Sequence, residues 1–571
     1  MTRKLRITQR GAIRMNLKQG LSAITASALL LTLLSACSGG NDGPSGEASP
    51  SSAGSPSASA APSAPADPLG KYDPPIRVSA VRAISEGLKF NDGESIDNNV
   101  WSRAYESELG LGIDYVWTAP AAQYDQKLNI AIASDDLPDI MPVNASQLKR
   151  LVQDGQVEDL TQVYEQYGSD FTKKILNEDG GNALKSATFD GKLYALPNMS
   201  SGLGQTHVLW VRTDWLEKLG LPEPKTIDDV VATAEAFVTR DPDGNSKADT
   251  HGLGINKDIF GFYAGMEGFF NGFHAYPNIW VEDGEGKLVY GSVQPETKAA
   301  LAKLQEMYKN GWIDKEFGTK DASKVNESAT SGKLGLFYGF FWNVGWLQDA
   351  KNADPNMQWK ALPLPSVDDQ PAKAQVPFAI SKYYVVKKGA KNPEAAVKLL
   401  NFGLEKLWGE TAQPDVYNVD ASGLATFDYA LLYGEAPRKN LDAHLNVVQA
   451  LASNDSSKLN AEEKGYYDNI VAYRGGDVGL WGNERMYGEE GSLAVINGYE
   501  TNGQLMDDAY FGAPTQGMTD NNATLQKLQL QAFTRIIMSG SIDEFDDFAA
   551  QWSNLGGGTI AGEVNEWQAS R

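Results

Sequence analysis

Cysteine is almost absent from this sequence, since Cys37 is the single cysteine among 571 residues. One cysteine excludes an intrachain disulfide, so the folded part of the chain must be held together by its hydrophobic core. Histidine is also scarce, and the four histidines form neither HExxH nor another metal-ligand spacing. The sequence also has no Gly-x-Ser-x-Gly elbow, no Walker loop and no clear Gly-x-Gly-x-x-Gly after a predicted strand. No motif therefore indicates serine-nucleophile hydrolysis or nucleotide binding.

Positively charged residues are also few relative to negatively charged ones. The chain has 50 Lys and Arg against 73 Asp and Glu, which gives a formal net charge of −23. Six of the positive residues precede residue 21, and removing that segment would leave about −29. Nucleic acid and anionic lipid both require positive patches, so this charge disfavours both as partners. No long apolar run follows residue 34, so no membrane-spanning helix is predicted there.

The basic residues at the start precede an apolar run, residues 21–34 (LSAITASALLLTLL). The run is shorter than the roughly 20 apolar residues that span a bilayer, which favours an export signal. Leu34-Ser35-Ala36-Cys37 resembles the bacterial lipobox, whose cysteine is lipidated and becomes the new N-terminus. We therefore predict a signal peptide over residues 1–36 and a lipid anchor on Cys37; a chance buried cysteine is the alternative. A cysteine used for lipid attachment cannot be a catalytic nucleophile.

Residues 37–70 follow as a lipidated cysteine and a linker dominated by Ser, Ala, Pro and Gly, which offers almost nothing to bury. Residues 71–571 exceed the roughly 250–300 residues at which a single core stops growing, so two lobes are expected. Apolar β-like runs alternate with amphipathic helical stretches, as in α/β proteins. Examples are predicted strands at 76–81 and 112–118 and a helix that opens with a Thr226–Asp229 capping box.

Five segments in this order resemble a known family. They are SDDLPDI (134–140), YALPN (194–198), LWVRTDWLEKLGLPEPKT (209–226), SGKLGLF (331–337) and KNPEAAVKLLNF (391–402). They look like the large extracellular solute-binding lipoproteins (family 1 type) of bacterial ABC-type sugar importers, distantly similar to alginate-binding proteins. The resemblance extends over nearly the whole chain after the linker.

The resemblance implies a type II periplasmic-binding fold, with two α/β lobes, a hinge and an interlobe ligand cleft. We expect residues 71–205 plus about 345–400 in the N-terminal lobe. Residues of about 206–344 plus about 401–571 would form the C-terminal lobe. Bending at the hinge would close the cleft over ligand.

The family also implies a function: a lipid-anchored receptor on the extracellular face of a membrane, of the Gram-positive type. It would capture an oligosaccharide and deliver it, as a monomer and not as an enzyme, to ABC permease subunits and their ATPase. The membrane would be contacted through the lipid anchor only. Two alternatives stay open: a surface-tethered polysaccharide hydrolase or lyase, because 73 acids make a carboxylate pair easy to form, and a receptor for a non-sugar solute.

An acidic loop predicts a metal site. Oxygen-bearing residues occupy every second position, and a hard cation such as Ca²⁺ takes six to eight oxygen ligands. The loop departs from the EF-hand at positions six and twelve, which are Ser246 and Gly252. Alginate-binding relatives carry a similar calcium loop, so we expect a structural Ca²⁺; an acidic surface turn is the alternative. The predicted ligands are Asp241, Asp243, Asn245, the Lys247 carbonyl and Asp249.

Aromatic residues are the main candidates for ligand contacts, because sugars present C–H faces to flat rings. Several aromatics follow predicted strands or lie in irregular stretches, where core packing explains them poorly, although packing between elements is the competing explanation. Trp342 and Trp346 are the strongest candidates. The other predicted ligand-binding residues are Trp280, Trp481, Tyr194, Asp136, Trp101 and Asn91.

Overall fold

The computed structural model describes residues 67–420 and 422–571. The predicted signal peptide, the predicted lipidation site at Cys37 and most of the predicted linker lie outside the described residues.

The strands are mostly short. In chain order they are β1 (Ile76–Ile84), β2 (Leu111–Pro120), β3 (Ile140–Val143), β4 (Thr188–Phe189), β5 (Lys192–Leu193), β6 (Leu196–Met199), β7 (Val208–Arg212), β8 (His251–Leu253), β9 (Trp280–Glu282), β10 (Leu288–Tyr290), β11 (Leu334–Gly339), β12 (Trp359–Leu362), β13 (Ala374–Val376), β14 (Ile380–Val386) and β15 (Leu505–Asp507).

Helices alternate with these strands and dominate the last third of the chain. They are α1 (Val100–Ala104), α2 (Ala121–Ser134), α3 (Ala145–Gln153), α4 (Thr161–Tyr167), α5 (Asp170–Asn177), α6 (Asn182–Ser186), α7 (Thr213–Leu219), α8 (Ile227–Thr239), α9 (Glu267–Asn271), α10 (Pro295–Asn310), α11 (Ala322–Thr330), α12 (Gln348–Ala353), α13 (Glu394–Trp408), α14 (Pro414–Tyr417), α15 (Lys439–Ser453), α16 (Ala461–Arg474), α17 (Trp481–Tyr487), α18 (Ser492–Thr501), α19 (Gln516–Met538), α20 (Glu544–Trp552) and α21 (Gly558–Ala569). A 3-10 helix, Phe341–Leu347, follows β11.

Local sequence explains several helix starts. The Thr226 hydroxyl accepts the Asp229 backbone N–H while the Asp229 carboxylate accepts the Thr226 N–H, so the predicted capping box opens α8. Asn99 caps α1 in the same way with Ser102. Both boxes satisfy backbone N–H groups that the first helical turn leaves without partners.

Two mixed sheets form the centres of two lobes. The first has the order β2-β1-β3-β14-β6, in which β1 is parallel to β2 and β3, and β14 is antiparallel to its neighbours. The second has the order β12-β7-β11-β8, in which β7 is antiparallel to β11 and β12, and β11 is parallel to β8. All six residues of β11 are buried, as expected for a strand covered on both faces.

Each sheet has its own hydrophobic core. The first core draws its buried residues from 78–199 and 383–436, and the second draws them from 203–374 and 441–564. The chain therefore passes between the lobes three times, near residues 199–203, 374–383 and 436–441. These three segments are called the crossings below.

The later crossings differ from the expected boundaries near 345 and 401. Residues 345–374 belong to the second core because β12 pairs with β7 in the second sheet. Residues 401–436 belong to the first core because α13 continues to Trp408 and buries Phe402 there. Sheet pairing and helix length set these boundaries, and neither is visible in local composition.

A search of the helices within the described residues finds none that is long and apolar enough to cross a membrane.

Candidate ligand-binding cleft

A polar cavity lies at the edge of the first sheet where β1 and β3 end. These strands are parallel, so their carboxyl ends meet at one edge, which is where open α/β sheets bind ligands. β14 starts at the same edge directly after the second crossing. The cavity has a volume of about 290 Å³, and its polar lining includes Arg82, Tyr124, Asp125, Asn144, Ser381, Lys382, Asp428 and Tyr433.

Two cations in this cavity have different environments. The Arg82 guanidinium donates to the carbonyls of Tyr429 (2.8 Å) and Ala430 (3.0 Å) and so fixes the segment that closes the cavity. Lys382 has no hydrogen-bond acceptor or ion-pair partner among residues 67–420 and 422–571. Burial lowers the pKa of the Lys382 ammonium, and the nearby Arg82 charge lowers it further. Lys382 is therefore a donor available to a ligand.

Asp428 supplies a carboxyl group to the same cavity. Burial raises the pKa of this carboxyl, against the effect of the neighbouring Arg82 and Lys382 charges. A carboxylate and an ammonium in one small cavity suit a ligand with many hydroxyl groups, because a hydroxyl can donate to one and accept from the other.

The matching edge of the second sheet carries an aromatic face. β8 and β11 are parallel, and β8 ends beside Leu336, shortly before β11 ends at Gly339. β7 begins beside Gly339, directly after the first crossing. Phe262 lies in the loop after β8, and the other three rings follow β11. We define the aromatic face as Phe262, Phe340, Trp342 and Trp346.

The rings of the aromatic face contact one another; Phe262 and Trp346 are open to solvent, and Phe340 and Trp342 are partly buried. Phe262 stacks on Trp342 with centroids 5.4 Å apart and meets Trp346 edge-on at 5.3 Å. The two indoles lie 5.8 Å apart. Trp346 keeps 39% of its surface exposed and Phe262 36%, although both are large apolar side chains. Exposed clustered rings at a strand edge are typical of a binding surface.

A buried His207–Glu267 pair lies beneath this face. His207 Nε2 and Glu267 Oε2 are 3.5 Å apart, and neither atom has a hydrogen-bond partner among the described residues. Burial lowers the pKa of His207 to about 3 and raises the pKa of Glu267 to about 8. The His207 ring also meets Phe340 edge-on at 5.3 Å. The pair thus connects the first residues of the second lobe to the aromatic face.

A second cavity, of about 440 Å³, is lined by all three crossings and is called the hinge cavity. Both lobes contribute acids to it, and Arg438 is paired with Asp442 at 2.9 Å and with Glu500. Burial raises the pKa of Asp508 to about 7. The acids that line the hinge cavity are Glu178, Asp179, Glu500, Asp507 and Asp508. The crossings therefore bend around a cavity rich in hydrogen-bond acceptors.

The structure places the predicted aromatic residues in two groups. Trp342 and Trp346 belong to the exposed face. Trp101 and Trp481 have no exposed surface and Trp280 has 5%, so all three are core residues here and do not line a cleft. Trp101 packs against Phe402 and donates from its indole to the Thr426 carbonyl at 2.9 Å, which explains its burial.

The predicted first-lobe residues lie away from the cavity lining. Asp136 is exposed just before β3, so it lies at the edge opposite the carboxyl ends of the strands. Asn91 is exposed, and its amide donates to the Asp420 carboxylate at 2.8 Å. Tyr194 is partly buried against Phe189 on the first core.

The acidic loop adopts a compact turn. The Asp241 carboxylate accepts backbone N–H groups from Asn245 (3.1 Å) and Ser246 (3.0 Å). Ser246 has a φ of 61°, which is left-handed, at the position where an EF-hand loop places glycine. Asn245 donates from its amide to Asp243 (2.6 Å) and Asp249 (3.0 Å). Across the described residues, no group of three or more His, Cys, Asp or Glu side chains is placed to hold a metal ion.

Sequence reasoning missed Arg82, Lys382 and Phe262, and it noted Phe340 only as part of the irregular aromatic stretch that contains Trp342 and Trp346. Arg82 and Lys382 lie in strands, where the alternating pattern predicts that a charged side chain points to solvent. Phe262 had a usable signal, since it lies between Gly261 and Gly265 with no strand or helix pattern around it. Glycines around an aromatic in an irregular stretch indicate a loop that presents the ring.

Comparisons with known proteins agree with this architecture. A family model for bacterial extracellular solute-binding proteins matches residues 89–406, which is more than half of the chain. Lipoprotein LipO of Bacillus subtilis strain 168 is 26% identical over 490 residues, covering 82% of this chain and 89% of LipO.

Two further proteins are similar over different shares of the chain. The polygalacturonan/rhamnogalacturonan-binding protein YtcQ of the same strain is 26% identical over 328 residues, 56% of this chain and 61% of YtcQ. The structure of an EF-hand mutant of the Streptococcus pneumoniae ABC-transporter substrate-binding protein FusA, in complex with fructo-nystose, has a TM-score of 0.55 at 19% identity. It covers 87% of this chain and 100% of that chain. The family match confirms the resemblance found in the sequence: this chain belongs to the bacterial extracellular solute-binding proteins, a family whose members bind solutes rather than transform them.

Proposed function

We propose that this protein is a carbohydrate receptor that holds an oligosaccharide between its lobes. The observation that carries the proposal is the exposed aromatic face at the carboxyl ends of β8 and β11. Sugar rings present apolar C–H faces that pack on aromatic rings, and their hydroxyls need both donors and acceptors. The polar cavity in the first lobe supplies these groups through Lys382 and Asp428.

The names of two similar proteins support this class of ligand. YtcQ is named for binding polygalacturonan and rhamnogalacturonan, and FusA was solved with a fructo-oligosaccharide. These ligands differ in charge, so they support carbohydrate as a class and leave the particular sugar open.

Binding would be coupled to closure of the two lobes. The polar cavity and the aromatic face, called here the two half-sites, lie on different cores. The three crossings are the segments where the backbone can bend. A ligand that contacts both half-sites favours the closed state by its higher affinity for that state. We further propose that an ABC permease recognises the closed form and that an associated ATPase drives import.

The remaining proposals concern the location. We propose that residues 1–36 are a signal peptide and that Cys37 carries the lipid, which holds a monomeric receptor on the extracellular face of a Gram-positive membrane. The lipoprotein name of LipO supports the anchor. Mass spectrometry of the mature N-terminus tests this, because a diacylglyceryl adduct on Cys37 is expected and an unmodified cysteine would contradict it.

We also propose that the loop of residues 241–249 holds a structural Ca²⁺. The residue types suit a hard cation, because Asp241, Asp243, Asn245 and Asp249 lie on one small turn. In the structure the Asn245 amide nitrogen faces Asp243 and Asp249, so the amide would have to turn its oxygen toward a bound cation. Burial raises the pKa of Asp243, and the adjacent carboxylates of Asp249 and Asp241 raise it further, a repulsion that a cation would relieve. The loop offers fewer side-chain ligands for the cation than an EF-hand loop does. A Cβ at Gly252 would lie 2.5 Å from the Ala234 carbonyl oxygen, so no side-chain ligand fits at position twelve. The FusA structure, described as an EF-hand mutant, supports such a loop.

The experiment is a thermal-shift screen of residues 71–571 with 1-kestose and trigalacturonic acid, which differ in charge. A ligand at 100 times its Kd stabilises the folded state by about 2.7 kcal/mol, which is measurable as a rise in melting temperature. A shift with the sugar recovered unchanged is expected. Consumption of the sugar would indicate a hydrolase or lyase, and no shift across a wider sugar panel would favour a non-sugar solute.

A further inference from the structure

The loop that carries Phe262 has an unusual backbone. Between Asn256 and Glu267, called here the Phe262 loop, Ile259 has a φ of 64°, Gly261 of 122° and Ala264 of 51°. Positive φ is rare for residues other than glycine and is a true outlier for a β-branched residue such as Ile259. Such conformations persist only where the surroundings enforce them, and they cluster at functional sites.

The Phe262 loop is enforced from within. The Asn256 amide donates to the Tyr263 carbonyl at 2.9 Å, and the Asn256 backbone N–H donates to the Ala264 carbonyl at 3.0 Å. Met266 N–H donates to the Ile259 carbonyl at 2.7 Å. These bonds fold the loop back on itself and leave Phe262 at its exposed tip.

Glu267 accepts a hydrogen bond from the residue directly before that tip. Its Oε1 accepts the backbone N–H of Gly261 at 2.8 Å, directly before Phe262. Its Oε2 lies 3.5 Å from His207 Nε2, so one proton between these atoms would satisfy both. Gly265 leaves room for this arrangement, because a Cβ there would lie 2.6 Å from Glu267 Oε2 and 2.1 Å from the Gly261 carbonyl oxygen.

The position of Phe262 then determines the rest of the aromatic face. Its carbonyl accepts the Phe340 N–H at 3.1 Å, which ties the Phe262 loop to the end of β11. Its ring contacts both Trp342 and Trp346. Trp346 also stacks on the buried Tyr263 at 5.3 Å, and Trp342 also meets Phe340 at 6.1 Å. A shift of Phe262 would therefore remove one ring contact from each indole and loosen the pair.

We infer that Glu267 is a positioning residue for ligand binding: by holding the Gly261 N–H it fixes Phe262 and preorganises the aromatic face. The inference rests on the proposed function, since it assumes that this face contacts the sugar. Preorganisation raises affinity because ordering costs are not incurred on binding.

The test compares Glu267→Gln and Glu267→Ala in the chain that lacks its predicted signal peptide. Gln keeps the side-chain size and an oxygen for the Gly261 N–H, whereas Ala removes the acceptor. The readout without ligand is the circular dichroism couplet of the Trp342–Trp346 pair, whose ring centroids are 5.8 Å apart. This couplet is obtained by subtracting the spectrum of the Trp346→Phe variant from that of the protein with both indoles. We expect Glu267→Ala to lose most of the couplet and Glu267→Gln to keep it. The buried variant Ile496→Ala, in the same core, should lose stability and keep the couplet.

Binding of 1-kestose or trigalacturonic acid, whichever shifts the parent protein, is then measured by calorimetry. Loss of preorganisation should weaken binding by about tenfold in Glu267→Ala and little in Glu267→Gln. A couplet unchanged in Glu267→Ala would overturn the positioning role whether or not either sugar binds. A lost couplet with unchanged affinity would also overturn it.

A different result would contradict the proposed function itself. In that case Phe262→Ala would alter the couplet and leave sugar binding unchanged. If Glu267→Ala does not fold, Glu267→Leu replaces it, because leucine fills the buried space and offers no acceptor to the Gly261 N–H. The same loss of couplet is expected, and its retention would overturn the inference.

Discussion

Replacing Glu267 by Gln should change how the stability of the protein depends on pH. The pKa of Glu267 is raised to about 8 in the folded state by burial, whereas an ordinary glutamate titrates near 4.5. The folded state therefore binds more protons than the unfolded state between these values, and the free energy of unfolding falls as pH rises through this range. His207 acts in the opposite direction, because its pKa is lowered to about 3. It adds stability as pH rises from 3 to 6.5, so the two groups oppose each other up to about pH 6.5.

Above pH 6.5 the contribution of Glu267 is no longer opposed by His207. One ionising group changes the free energy of unfolding by at most about 1.4 kcal/mol per pH unit, so pH 6.5 to 8 should cost about 2 kcal/mol. For a lobe of about 300 residues this lowers the melting temperature by roughly 3 °C. Asp508, whose pKa is raised to about 7, also lowers the stability as pH rises. The contribution of Glu267 is therefore measured as the difference between the parent and the variant.

The assay is differential scanning calorimetry of the parent and of Glu267→Gln at pH 6.5 and 8. The parent should lose more stability than the variant by about 2 kcal/mol. Glu86→Gln, at an exposed position, is the control and should behave like the parent. Equal losses in the parent and in Glu267→Gln would show that Glu267 titrates in an ordinary environment.

Three further predictions concern the metal loop, the core and the aromatic face. Asp243→Ala should abolish the calcium-dependent rise in melting temperature, and a parent protein that is indifferent to EDTA would refute the calcium proposal. Trp101→Ala should destabilise the first lobe by about 3–5 kcal/mol in urea titrations without weakening sugar contacts, since its ring is fully buried. Trp342→Ala should weaken oligosaccharide binding by about tenfold, or 1.4 kcal/mol, in calorimetry. Val471→Ala, which is exposed on α16, should leave the affinity unchanged, and equal affinities in all three proteins would remove Trp342 from the site.

Local sequence predicted much of the fold. The alternation at residues 76–81 lies within β1, and the Thr226–Asp229 pair opens α8 as expected. The lobe boundaries were harder, because they depend on which distant strands pair. β12 joins the second sheet through β7, which lies more than a hundred residues earlier in the chain. No window of local composition contains that information.

The candidate site was predicted in part for a related reason. Trp342 and Trp346 lie in an irregular stretch after a buried strand, and the sequence alone favoured both. Trp101 was misplaced because its neighbour Phe402 lies about three hundred residues away, so the contacts that bury it are invisible locally. The position of Phe262 depends on the preceding Gly261 N–H, which donates to Glu267, and the sequence alone predicts that Glu267 is an ordinary charged surface residue.

Under the proposed function, the division of the site between the two lobes couples binding to closure. The first lobe offers hydrogen-bonding groups, with a Lys382 ammonium that has no acceptor among the described residues, and the second offers flat apolar rings. A sugar bound to either half alone would leave its other face in water and so would gain only part of the interaction. In the proposed mechanism the full interaction requires the crossings to bend, and a ligand shifts that equilibrium only by its differential affinity for the closed state. A preformed aromatic face increases this difference, because the second lobe then meets the sugar without further ordering.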